Sequence, residues 1–157
     1  MIFGFISVSF LLLLAIAVPK RISGIEIYAT FFFAYFLGIT TDLILDLKYN
    51  LYGYYKDGVQ ITSIIYLISI YFSVSTLFLN HFPYKGILLT KGIYIMAWSV
   101  FSIVYESIIV RTNLFYYNGW KLSYSASLYP IIFTILVLNL SFIRKLLMIY
   151  IRNAKAP

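Results

Sequence analysis

Five apolar runs dominate this chain, and their lengths constrain its fold more than any other feature. They are Ile2–Val18, Ile27–Leu45, Ile61–Leu79, Gly92–Val110 and Ser125–Ile143, joined by short polar or aromatic links. A helix rises ~1.5 Å per residue, so each run is close to the length that crosses a ~30 Å hydrocarbon layer. Inside that layer each segment must satisfy its own backbone N–H and C=O groups, which makes helices of such runs. Charge is scarce to match: 11% of the 157 residues are Asp, Glu, Lys or Arg, against about a quarter in soluble domains. The sequence predicts an all-α integral membrane bundle of five transmembrane helices. It forms one domain over residues 1–157, with a basic tail from Arg144 onward.

Basic residues set the expected orientation. Lys20, Arg21, Lys85, Lys91, Arg144, Lys145, Arg152 and Lys155 fall at one end of a five-span bundle, and Lys48, Lys56, Arg111 and Lys121 at the other. The positive-inside rule then places the amino terminus outside and the carboxyl terminus inside a bacterial plasma membrane. Asp42, Asp46, Asp57 and Glu106 share the outer end and offset its four bases. Glu26 is the acid of the inner end, so the inner face carries the whole net charge of +7. Such a face attracts anionic lipid. Its bases are scattered among short loops, which does not suit nucleic acid. Ala15-Ile16-Ala17 has the look of a signal-peptidase site. Cleavage there would invert the charge balance, so the first run is expected to stay as a span.

Several polar residues repeat at helical spacing. Thr30, Ala34 and Gly38 recur every fourth position and form a packing stripe, since small side chains let a neighbouring helix approach. Asp42 and Asp46 continue that stripe. Ser99, Ser102 and Glu106 share a face of the fourth run, with Arg111 at its exit. Asp42, Asp46, Glu106 and Arg111 thus make a candidate outer polar cluster. It could hold a proton, a cation, or a divalent metal against a lipid phosphate. Alternatively, the acids pair with Lys48 and Arg111 and fix helix ends.

The outer loop Asn113–Tyr124 carries Tyr116, Tyr117, Asn118, Gly119 and Trp120. Asn-Gly between strand-forming residues is a hairpin signal. Trp and Tyr at this depth also suit an interfacial aromatic belt. A turn within such a belt is the expected form, and Asp57-Gly58 marks a turn in the other outer loop. Lys48-Tyr49-Asn50-Leu51-Tyr52 also resembles Arg111-Thr112-Asn113-Leu114-Phe115, which hints at two related hairpins whose upstream spacings disagree.

Catalytic motifs are absent from the sequence. There is no phosphate-binding glycine loop, no H-E-x-x-H and no G-x-S-x-G. With no cysteine and one histidine, His81, thiolate and histidine-cluster chemistry is excluded, and no cofactor is expected.

The acid of the fourth run, the following base and aromatic pair, and Asn118-Gly119-Trp120 before the last run resemble a family of small polytopic membrane proteins. These belong to endospore-forming Gram-positive bacteria and are named after a clostridial locus. The Asp42-to-Tyr54 segment and the Asn80-His81-Phe82-Pro83 turn fit the same resemblance. It implies an inner-membrane protein and carries no activity with it.

Two classes of function follow. The first is a non-enzymatic structural or partner protein of the cell envelope, associating with itself or with another membrane protein. The alternative is a small transporter or channel subunit that uses the outer carboxylates for protons or cations. Five spans enclose little volume, so transport would need an oligomer. A metal-assisted lipid-modifying enzyme is a third reading of the same acids.

Overall fold

A computed structural model describes residues 2–54, 60–112 and 114–154. Readings that rest on Lys56, Asp57-Gly58, Asn113 and Lys155 lie outside the described residues. Among the described residues the regular structure is helical apart from one short ribbon: α1 (Ile2–Ala17), α2 (Gly24–Asp42), α3 (Ile61–His81), α4 (Leu88–Val110) and α5 (Leu122–Ala154). A π-helical turn, Leu43–Lys48, continues α2. Strands β1 (Tyr52–Tyr54) and β2 (Phe115–Tyr117) pair with each other.

Four helical stretches are long and apolar enough to cross a membrane: Gly24–Lys48, Ile61–His81, Leu88–Val110 and Leu122–Ala154. The surface fits such a setting, since Phe10, Leu13, Leu88, Leu89 and Leu138 are all more than half exposed. The first helix is shorter, 16 residues or ~24 Å. It packs along α3. Gly4 lies against Leu114 beside β2 at one end. At the other end Asn80, in the last turn of α3, accepts from the Arg21 amide at 2.6 Å and donates to the Pro19 carbonyl at 3.0 Å.

Local chemistry sets the helix ends. Ser23 caps α2 in a reciprocal box with Glu26, each side chain accepting from the other's amide. Pro83 stops continuation of α3, and Phe82 is already extended. Asn50 turns the chain after α2 with φ of 50°, in the left-handed region that Asn tolerates. The last helix begins three residues before the apolar run Ser125–Ile143. It starts at Leu122, which puts Pro130 inside the helix. It then runs unbroken to Ala154, so the described part of the basic tail extends α5.

Two aromatic-rich cores fill the bundle. The first gathers Phe78, Leu79, Phe133, Leu136 and Leu140 from α3 and α5, toward the Asn80 end. The second gathers Val8, Tyr66, Leu67, Ile109 and Leu114 with Tyr52 and Phe115 of the ribbon. Thr30 and Ala34 of the small-residue stripe are buried, and the ring of Tyr71 from α3 occupies the space a Cβ on Gly38 would need.

Candidate functional site

The Asn118-Gly119 bend does not close a hairpin. Instead β2 pairs antiparallel with β1 from the other loop, in the register Tyr52↔Tyr117, Gly53↔Tyr116, Tyr54↔Phe115. The Leu51 carbonyl accepts from the Asn118 and Trp120 amides at 2.8 and 3.0 Å, and Gly119 takes φ of 98° to allow it. That reach explains the Asn-Gly pair: glycine adopts this φ at no steric cost. The ribbon therefore ties the α2–α3 link to the α4–α5 link. Alternation along a strand sends Tyr52 and Tyr54 to one face with Phe115 and Tyr117. Tyr52 and Phe115 are buried.

Two carboxylates hold this ribbon. Glu106 is buried, and its Oε1 accepts from the Tyr117 hydroxyl at 2.5 Å and the Ser125 hydroxyl at 2.7 Å. Its Oε2 accepts from Tyr129 of α5. Trp120 joins behind Ser125, donating its indole N–H to that hydroxyl at 2.8 Å. Asp42 is bound differently. Its Oδ1 accepts from the Tyr52 and Tyr54 hydroxyls at 2.8 and 3.3 Å, whereas its Oδ2 is buried with no hydrogen-bond partner among the described residues. Burial, followed by Asp42, Tyr71, Tyr52 and Tyr129, pushes the Tyr54 phenol well above its ordinary range. Burial and then Glu106 do the same to Tyr117. Both phenols therefore remain protonated donors at ordinary pH.

This arrangement corrects two expectations. Asp42 and Glu106 meet neutral hydroxyls rather than Lys48 and Arg111. Lys48 lies over the Tyr49 ring, and Arg111 is exposed at the end of α4. Nor do Asp42, Asp46 and Glu106 converge on a metal-sized point: among the described residues no group of three His, Cys, Asp or Glu comes together. Asp46 sits one turn beyond Asp42 in the π-helical segment, its carbonyl accepting from the Asn50 amide. The aromatic-belt reading also changes. Tyr117 and Trp120 turn inward to the acid, and Tyr116 covers Gly53. Tyr124 remains exposed.

The partners Tyr52, Tyr54, Ser125 and Tyr129 were not singled out in the sequence. The Ser125/Tyr129 spacing of one helical turn was the available signal. A second polar site at the opposite end was also missed. Arg144 Nε donates to Glu26 Oε1 at 2.5 Å, and its guanidinium lies over the Tyr84 ring, 4.1 Å from the centroid. Burial raises the Tyr84 phenol, opposed by that guanidinium.

Comparison of the chain with protein-family models, with curated proteins and with solved structures returns no match.

Proposed function

We propose that this is a five-span protein of a bacterial plasma membrane, amino terminus outside and carboxyl terminus inside, serving as a non-enzymatic structural or partner component of the cell envelope. The observation that carries this reading is the hydroxyl shell of Glu106. An acid given three internal donors from β2 and α5 is used to hold a cap in place. The packing of the apolar α1 along α3 supports a fifth span. Lys20, Arg21, Lys85, Lys91, Arg144 and Lys145 collect at the Asn80 end, which supports carrying that end inside. The resemblance to membrane proteins of endospore formers extends the proposal to an envelope role in such cells, and the basic end would meet anionic lipid.

One observation favours the alternative, a small transporter or channel subunit. A buried carboxylate oxygen without a donor, as Asp42 Oδ2 is among the described residues, is costly unless something else visits it. Replacing Asp42 with Asn and Glu106 with Gln, singly, separates the two. Protein abundance and proton or cation flux would be followed in vesicles. The structural reading expects no wild-type flux, with Glu106→Gln lowering abundance and stability by about 1–3 kcal/mol. Wild-type flux that Asp42→Asn abolishes at unchanged abundance would establish transport instead.

A further inference from the structure

We propose that the chain is built from one helix–strand–helix unit used twice, and that Asp42–Tyr54 and Glu106–Tyr117 are the same clasp in its two copies. The units are α2–β1–α3 and α4–β2–α5. Their ribbon has the pairing a two-fold axis requires. Matching Tyr52 to Phe115, Gly53 to Tyr116 and Tyr54 to Tyr117 exchanges the two outer pairs and returns the central pair to itself. The same offset of 63 positions matches Asn50 to Asn113, Leu51 to Leu114 and Tyr66 to Tyr129. Upstream the offset is 64, matching Asp42 to Glu106 and the helix starts Gly24 and Leu88.

The spare residue lies between acid and strand in the first copy, where the π-helical turn Leu43–Lys48 is found. A π-turn inserts one residue into a helix without moving what flanks it. It therefore absorbs the spacing mismatch that obscures the repeat in the sequence.

The copies differ where α1 intrudes. In the second, Tyr129 caps the far oxygen of Glu106. Its mate Tyr66 shares a hydrogen bond with Tyr105, which also meets Ser7 of α1. The far oxygen of Asp42 correspondingly has no partner among the described residues. The Ser63 hydroxyl, one position beyond the mate of Ser125, is buried and also unpartnered among the described residues. Among the described residues the first clasp thus lacks counterparts of the Ser125 and Tyr129 donors and has the Tyr52 hydroxyl where the second has Phe115.

Two kinds of variant test this in the full-length protein. The chain contains no cysteine, so Gly53→Cys with Tyr116→Cys reports ribbon pairing by disulfide formation. In that background, deleting Leu47 from the π-turn leaves an ordinary helix with the spacing of the second copy. Deleting Ile108 from α4 instead turns everything after it by ~100°. The Leu47 deletion is expected to keep the crosslink and to yield monodisperse protein within about twofold of the parent, the Ile108 deletion to fall several-fold and lose the crosslink. Equal tolerance, equal loss, or loss confined to the Leu47 deletion overturns the proposal. Phe115→Tyr supplies the second copy with the hydroxyl that Tyr52 supplies to the first. Glu106 accepts three donors and a carboxylate has about four lone-pair sites, so the thermal midpoint should hold or rise. A fall of more than about 3 °C would show the two sites to be inequivalent.

Discussion

Glu106 and Asp42 sit at similar depths on neighbouring α-helical hairpins, yet their surroundings differ by one donor on one oxygen. Among the described residues Glu106 meets hydroxyls at both oxygens and Asp42 at one. Glu106 stood out in the sequence as an acid on a polar stripe, but its partners did not. Tyr117 arrives from a loop and Tyr129 from the next helix, and in a chain with 16 tyrosines none is conspicuous. The phenols also carry a pH signature. Tyr54 and Tyr117 have folded values raised above the ordinary ~10. The folded state therefore holds their protons more tightly than the unfolded chain does. Stability from this source is complete below about pH 10 and is lost as pH rises beyond it. Thermal midpoints should be flat from about pH 7 to 9 and fall above about pH 10, and Tyr54→Phe should flatten the alkaline fall.

The ribbon is the element that the sequence concealed. Each strand has three residues, too short for periodicity to declare, and the partners lie in different loops. The Asn-Gly pair pointed to a local hairpin, whereas its glycine serves to bring two amides to the Leu51 carbonyl. The last helix was easier to read, apart from its length. Its placement rests on Arg144, which joins Glu26 in the first turn of α2 and covers Tyr84 in the α3–α4 turn. Removing that guanidinium leaves a buried carboxylate unpaired. Arg144→Ala should destabilise the purified protein by about 1.5–3 kcal/mol. Lys145→Ala, at an exposed neighbour, should change it by less than about 0.5 kcal/mol. Denaturant or thermal titration of the two variants makes the comparison.

For the whole molecule, hydrophobic run length was the most legible property, because it follows from the thickness of the layer a helix must cross. Four of the helices have the length and apolarity for crossing. The tertiary ties were illegible because they join residues far apart: Asn80 to the α1–α2 link, Arg144 to Glu26, β1 to β2. Orientation is open to direct measurement in a chain without cysteine. With cysteine at position 121 or 145 in intact cells, an impermeant thiol reagent should label the first and spare the second. The reverse pattern would place the ribbon inside.

The central claim is that a buried acid clasps the ribbon to the bundle, and a double-mutant cycle on Glu106→Gln and Tyr117→Phe tests it most directly. Thermal or denaturant midpoints of the four purified proteins supply the coupling energy. A coupling of at least about 1 kcal/mol is expected, with the double variant little worse than the worse single variant. Effects that add to within about 0.3 kcal/mol would show that the two side chains act independently, and the clasp would not exist.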